Sequence, residues 1–403
     1  MTRAMIFDAV RTPRGKGRAS TGALAELSPV ELAAIPLRAL VERAGLDPAR
    51  IDDVILGCVD PVRDQGGDIA RTAALAAGYG ESVPGVVVSR FCASGLEACA
   101  VATGKVASGE TDLVVAGGIE MMSRVPMLSS GMGVLSDPGL ATPMLTVPQG
   151  VSADLLATLC GHSREDVDAY ALESHRRAAT AWAEGRFGGS IVPVHDRAGL
   201  AILDTDETVR PDVRPEDMAA LPPAFEAYAR RTGFDQVAGQ RHPRIGEIAY
   251  VHTAANSSQI ADGAAALLMG SAEAGAASGL RPRARVRAVA SVGSEPTIML
   301  TGPALAVKKA LSKAGLTVDD VDLWELNEAF ATVVLYFMQT LGVPSDRINV
   351  NGGAIAMGHP LGATGAMILG TLVDELERSD RTIGVATLCA ATGQAIAMVV
   401  ERV

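Results

Sequence analysis

Two cysteines and one histidine in this chain sit in turns that could present them to a substrate. His359 lies in Asn351-Gly-Gly-Ala-Ile-Ala-Met-Gly-His-Pro-Leu-Gly-Ala-Thr-Gly365, one histidine among five glycines, ahead of an apolar helix-like run. Glycine adds no side chain to a core and costs backbone entropy. A cluster this dense implies a sharp turn whose backbone something must approach closely, and a histidine held there is a candidate acid or base. Cys92, in Ser89-Arg-Phe-Cys-Ala-Ser-Gly95, falls between Val86-Val-Val88 and a small-residue helix. At a helix N-terminus the dipole and free N–H groups favour a thiolate; for that segment alone a buried structural cysteine is an equal reading. Cys389, in Leu388-Cys-Ala-Ala-Thr-Gly393, is a second cysteine at a turn. Asn327, in Trp324-Glu-Leu-Asn-Glu-Ala-Phe330, puts an amide at a strand end, where it could hold a water. The set suits chemistry with one nucleophile, one base to activate it and one separate proton carrier.

The surrounding pattern is α/β. Strands are expected at 5–10, 54–57, 86–88 and 112–116, the last ending before Gly117-Gly118. Helices are expected at 29–45, with Ser28 as N-cap and Pro29 first, and at 69–77 and 93–108. From Met121 to about Thr253 the texture changes to Pro, Gly and charge, with one amphipathic helix over 167–184, as in an insertion lying over a core. After Ala254 the rhythm returns: helices over 301–314, 328–341 and 365–377, strands over 322–327, 348–350, 382–388 and 395–400. The halves echo each other, strand to Cys92 turn to helix in the first and strand to His359 turn to helix in the second. A duplicated fold would bring the two turns together across a pseudo-twofold axis.

Bulk properties narrow the function. Hydrophobic residues make up 48% of the 403 and charged residues 20%, enough for a large interior in two or three domains. Aromatics at 3% and 43 glycines favour close helix-on-sheet packing. A net charge of −11 argues against nucleic acid and anionic membranes. No apolar run approaches the ~18 residues of a membrane helix. The five cysteines show no CxxC pairing, so free thiols in a reducing compartment are expected, without zinc. With no signal-like N-terminus and no peroxisomal ending, the expected location is cytoplasmic.

Taken together, Asp8-Ala-Val-Arg-Thr-Pro13, Ala116-Gly-Gly-Ile-Glu-Met-Met-Ser123, Asp262-Gly-Ala-Ala-Ala266, Asn327-Glu-Ala-Phe330 and Gly358-His-Pro-Leu-Gly362 resemble the thiolase family, in family order and from end to end. The resemblance implies a duplicated five-layer α/β/α/β/α core with an inserted loop domain. It divides the chain into an N-terminal half (1–120 plus 254–272), a loop domain over coenzyme A (121–253) and a C-terminal half (273–403). It implies CoA-dependent cleavage of a 3-oxoacyl-CoA to acetyl-CoA and a shortened acyl-CoA, or the reverse Claisen condensation. Cys92 would be the nucleophile, His359 its activator and part of the oxyanion site, Cys389 the proton carrier and Asn327 the holder of a water. Arg210, Ala254, Ser258 and Phe330 would contact CoA, for Arg210 against the alternative of a solvated charge. No permanently bound cofactor or metal is implied, CoA being a substrate, and the family's members are dimers or tetramers.

The chain departs from the family in three places: Ser89 replaces a usual Asn, Ala391 stands where a glycine usually follows the second cysteine, and the stretch from Glu226 to His252 is long and basic. Ala391 leaves that site's N–H in place only if its backbone angle accepts a Cβ. The basic stretch could reshape the acyl pocket, contact CoA phosphate or be surface. Two other functions stay open: a decarboxylating condensing enzyme of the ketoacyl-synthase kind, against which Cys389 speaks, and a weakly active CoA-binding scaffold. Cys58, Cys99 and Cys160 read as packed small residues. His162, His175 and His195 read as surface or structural, and His252 merits more suspicion because it adjoins Thr253.

Overall fold

The computed structural model describes residues 4–196 and 198–403. The strands are β1 (Met5–Arg11), β2 (Gly15–Lys16), β3 (Asp53–Gly57), β4 (Gly85–Val88), β5 (Leu113–Met121), β6 (Val194–His195), β7 (Ala201–Leu203), β8 (Ala261–Gly270), β9 (Ala284–Gly293), β10 (Leu323–Leu326), β11 (Ile383–Ala390) and β12 (Gln394–Arg402). In the first half the order is β4-β3-β5-β8-β1, parallel from β4 to β5 and antiparallel from β5 to β1. The second half repeats it. Ile348 makes one parallel bridge to Trp324 on β10, β10 is parallel to β11, and β11, β12 and β9 follow antiparallel. The same order with the same directions is what a duplicated fold requires. The two sheets touch where Met5 and Ile6 pair with Arg285 and Ala284.

Successive side chains on a strand point to opposite faces, and both faces of these sheets are covered. Ile55, Val114 and Ala116 share one buried cluster with Leu96, Leu369, Leu388 and Met398. Val54, Leu56 and Val115 face the other way, onto Leu32, Leu37 and Ile69. Val385, Ala397 and Val399 turn outward onto Val307, Val334 and Phe337. The helices Ser94–Ser108 and Leu361–Arg378 therefore form the middle of five layers. They approach at backbone distance. A Cβ on Gly365 would lie 2.2 Å from the Leu96 nitrogen, and one on Gly95 would lie 2.7 Å from the Gly362 oxygen. Gly95 and Gly365 of the sequence motifs serve this contact.

Local signals held where they were strong. The helix Pro29–Ala44 has Ser28 as N-cap in a capping box with Glu31 and stops at Gly45 with φ 57°. Elsewhere the structure differs. β5 runs on through Gly117-Gly118 to Met121, because those glycines let a neighbouring backbone in while the ladder to β8 continues. Residues 348–350 are not a strand beyond the Ile348 bridge; Asn349 turns to φ 48° and its amide bonds back to Leu326. The helix expected from Glu328 begins at Ala331. β8 and β9 were not anticipated, since β8 is alanine-rich and buried on both faces and so shows no alternation.

Within 121–253 the helices Gln149–Cys160 and Arg164–Ala183 pack onto the second half. The basic stretch forms two short helices, Glu226–Thr232 and Phe234–Arg241. Arg230 pairs with Glu226 at 3.0 Å, while Arg241 and His242 reach Glu295 at 3.5 and 3.1 Å.

Candidate active site

Cys92 sits just ahead of the helix Ser94–Ser108, after Phe91 at φ 48°. It is buried against Met122 and Leu361, with Val59 beside them. The helix terminus favours a thiolate, but burial acts against it. Burial pushes the thiol up to about 12, and the negative charge of Glu120 adds to this; the residue's own backbone N–H only partly opposes it. The helix terminus is outweighed because the thiol is enclosed by apolar side chains. Cys92 at rest is a protonated thiol that needs a base.

His359 follows Gly358, whose φ of 100° and close approach to Ala261 (2.7 Å from a built Cβ) explain the glycine. Its Nδ1 lies 2.6 Å from Thr364 Oγ1, which itself donates to the Pro360 carbonyl at 3.0 Å. Thr364 therefore accepts from Nδ1–H, and Nε2 keeps its lone pair. Asn327 Nδ2 donates to Nε2 at 3.3 Å, and Asn327 Oδ1 is buried without a hydrogen-bond partner. Burial, reinforced by the Arg14 charge, pushes His359 down to about 3. It is a neutral imidazole of defined tautomer.

Cys389 is fully buried near the end of β11. Burial and then the neighbouring Cys92 raise its thiol, so the two sulfurs lie within electrostatic reach. The hairpin after it is Ala391-Thr392-Gly393 between the paired Ala390 and Gln394. The left-handed angles fall on Thr392 (φ 62°) and Gly393 (φ 73°), and Ala391 is outside that region. The Cβ of Ala391 is therefore accommodated and its N–H remains. Arg90 spans the two sites, bonding Glu97 through Nε (2.8 Å) and Gln394 Oε1 through Nη1 (3.1 Å).

His359, Ala391, Arg210, Ala254, Ser258 and Phe330 all line one cleft of about 760 Å³. Cys92 lies behind its wall at Met122 and Leu361; Asn327 touches it through His359. Phe330 packs edge-on against Phe225 and His252. His252 is itself fully buried, with Nδ1 2.8 Å from Asp154. His175 is buried rather than superficial and bonds the Arg210 backbone at 3.2 Å. Among the described residues no three His, Cys, Asp or Glu side chains group as a metal site would need, and no helix is long and apolar enough to cross a membrane.

Three supporting residues were missed as such. Glu120 accepts from the Val59 and Gly362 N–H groups at 2.9 Å and from Gln65 at 2.7 Å, tying the Cys92 side to the His359 helix; burial holds its carboxyl at about 7. Arg14, fully buried, donates to the Gly358 carbonyl at 2.7 Å. Glu328 accepts from Tyr170 (2.6 Å), Ser174 (2.7 Å) and the Ile355 N–H (3.1 Å), bracing the turn before His359. Glu120 and Glu328 lie inside quoted motifs and Arg14 directly after one. A charged residue embedded in an apolar or glycine-rich motif was the available signal.

Comparison with known proteins agrees with this geometry. Residues 4–232 match the family model for the thiolase N-terminal domain and residues 280–402 that for the thiolase C-terminal domain. The chain is 40% identical over 414 residues to a steroid 3-ketoacyl-CoA thiolase, FadA6, of Mycobacterium tuberculosis, covering 100% of this chain and 95% of that one. It is 41% identical over 412 residues to a 3-ketoacyl-CoA thiolase of Cronobacter sakazakii, covering all of both. The crystal structure of the Bacillus anthracis acetyl-CoA acetyltransferase superposes with a TM-score of 0.85 at 34% identity, over 100% of this chain and 99% of that one. With both halves matched and the cysteine and histidine turns brought together, the chain belongs to the thiolase family.

Proposed function

We propose that this thiolase cleaves a 3-oxoacyl-CoA with CoA, or runs the reverse condensation, through an acyl group on Cys92. His359 Nε2 takes the Cys92 proton as sulfur attacks the 3-oxo carbonyl. Since burial pushes the thiol up to about 12 and the imidazole down to about 3, this transfer is uphill alone and must be coupled to carbon–sulfur bond formation. The Cα–Cβ bond then breaks. The leaving acetyl-CoA enolate takes the proton of Cys389, whose raised pKa suits a donor that is protonated at rest. CoA thiol gives its proton to Cys389 and attacks the acyl carbonyl; the Cys92 sulfur leaves and takes back the proton held on His359. Hydrogen bonds to the developing oxyanion supply most of the rate in such chemistry. The free Asn327 Oδ1 supports that residue as holder of a water at this point.

The observation that carries the reading is the single cleft shared by His359, Ala391 and the four proposed CoA contacts, Arg210, Ala254, Ser258 and Phe330. The same reading assigns residues 121–253 to the cover over CoA, with halves at 1–120 plus 254–272 and 273–403. It takes CoA as substrate with no permanently bound cofactor, in the cytoplasm. The outer edge of β4, with Val86 39% exposed, supports pairing with a second copy in a dimer or tetramer. The test is intact-mass detection of acyl-enzyme. Cys92→Ser should form none, whereas Cys389→Ser should still be acylated by an acyl-CoA but fail to cleave 3-oxoacyl-CoA. Persistent acylation of Cys92→Ser overturns the assignment.

A further inference from the structure

One amide in the large cleft has nothing to bond. Gln149 opens the helix Gln149–Cys160 and lines the cleft beside Val147, Phe225 and Met299. Its Nε2 is buried and has no hydrogen-bond partner. A buried N–H left open costs stability, and native proteins leave few of them. The helix adds to the demand. Its N-cap is Pro148, which gives no side-chain cap, so the positive end of the helix dipole lies in the same wall.

The backbone that carries Gln149 is fixed on two sides. A Cβ on Gly150 would lie 2.3 Å from the Phe225 ring. One turn along, Ser152 Oγ donates to the Thr297 carbonyl at 2.7 Å, and Thr297 Oγ1 donates to the Leu145 carbonyl at 2.8 Å. These bonds also decide which part of the substrate meets the amide. The 294–299 segment runs to the hairpin after Cys389, where the Ser294 N–H donates to the Gly393 carbonyl at 2.6 Å. Met299 and Ala391 line the cleft together with Gln149. The proposed CoA contacts Ala254 and Ser258 come instead from the segment before β8. Gln149 therefore stands on the Cys389 side of the cleft, the side that the reacting acyl portion must occupy.

We propose that Gln149 donates a hydrogen bond to an oxygen carried on the acyl group beyond its 3-oxo carbonyl, a ketone or a hydroxyl, and so makes this chain selective for oxygenated acyl groups over plain alkyl ones. The inference rests on the thiolase reading. An acceptor at this point satisfies the amide, whereas a methylene leaves it dehydrated and unpaired. A site built to bond an oxygen rejects the analogue that lacks it more sharply than an apolar pocket rejects a change of size.

The experiment measures kcat and KM for thiolysis of 3-oxooctanoyl-CoA and of three counterparts, with a ketone at the sixth or seventh carbon or a hydroxyl at the eighth. It uses the full chain and Gln149→Met, which keeps the side-chain length and removes the donor. At least one oxygenated counterpart should exceed the plain substrate by about 10-fold in kcat/KM, for one buried donor paired rather than stranded. Gln149→Met should bring that ratio to about one, in part by improving the plain substrate, and should melt no lower than the unaltered protein, since in the empty site the amide holds nothing. An equal loss on all four substrates marks a bond to the pantetheine arm, and a fall in Tm with the ratio unchanged marks a structural amide. Either result overturns the inference and leaves the thiolase reading intact, as does the absence of any advantage for an oxygenated counterpart. Turnover of none of the four overturns both.

Discussion

Gly365→Ala tests how closely chemistry depends on the contact between the two middle helices. A methyl group there would lie 2.2 Å from the Leu96 nitrogen and 2.8 Å from its Cβ. Ordinary contact is about 3.5 Å, so the helices must part by roughly 1 Å. One of these helices begins beside Cys92 and the other beside His359. Overpacking of this kind costs about 1–3 kcal/mol, which for a chain of this length lowers Tm by only about 1–4 °C. Displacing reacting groups by about 1 Å costs roughly 100-fold in rate. The expected result is a folded protein with kcat/KM down about 100-fold. Gly104→Ala is the control, on the same helix as Leu96, with nothing within 4 Å of its built Cβ and no positive φ. It should gain about 0.5–1 kcal/mol with unchanged turnover. Thiolysis followed by loss of the 3-oxo absorbance, together with thermal melts, decides the matter. Gly365→Ala with turnover within threefold of the unaltered protein would refute the idea that this contact sets the spacing of the catalytic groups.

Other expectations follow from the site. With its thiol near 12, Cys92 in the empty enzyme should be alkylated by iodoacetamide at a rate that keeps rising with pH through pH 9; a plateau below pH 8 would contradict the burial argument. His359 stands near 3 when folded against 6.5 when free, so the unfolded chain takes up the proton first as pH falls. Its contribution is fully present above pH 6.5 and is lost toward pH 3, at up to about 1.4 kcal/mol per unit. His359→Gln should therefore show a flatter urea midpoint between pH 6.5 and 4, and an identical slope would count against it. Arg14→Met removes the bond to the Gly358 carbonyl and should lower stability by about 1.5–3 kcal/mol and kcat more than KM, with Arg14→Lys intermediate. His252→Leu removes the ring partner of Asp154, which still accepts the Val251 and His252 N–H groups, and should cost about 1–3 kcal/mol; Asp154→Leu leaves those two buried N–H groups unpaired and should cost more than His252→Leu in denaturant melts.

The sequence revealed those parts of the molecule whose cause is local. The helix after Ser28 carries its own cap and stop, and the His359 turn shows its glycines. The layered order of strands also follows from alternating texture. What was hidden depends on distant partners. Nothing near Cys92 in the sequence shows that Met122 and Leu361 enclose it, with burial raising its thiol. β8 is a run of alanines that becomes a strand only because β1 and β5 flank it. Nothing local to Arg14 reveals its place, yet it is buried and bonded to a residue 344 positions away. Ala391 could be judged only once the neighbouring Thr392 was seen to carry the left-handed angle.

The pairing of β1 with β8 has a consequence for how the protein is made. Thr12 and Ala264 are bonded across 252 positions, so the first sheet lacks its inner strand until that stretch has left the ribosome. At 5–20 residues per second this is a wait of about 13–50 s, during which β1 has neither ladder neighbour, since β9 on its other side is made later still. The nascent chain must keep its earliest strand from pairing elsewhere for that whole interval. Contacts this distant in sequence also slow folding after release, so yield in a foreign host should respond to translation speed and chaperone supply more than to the stability of the finished fold.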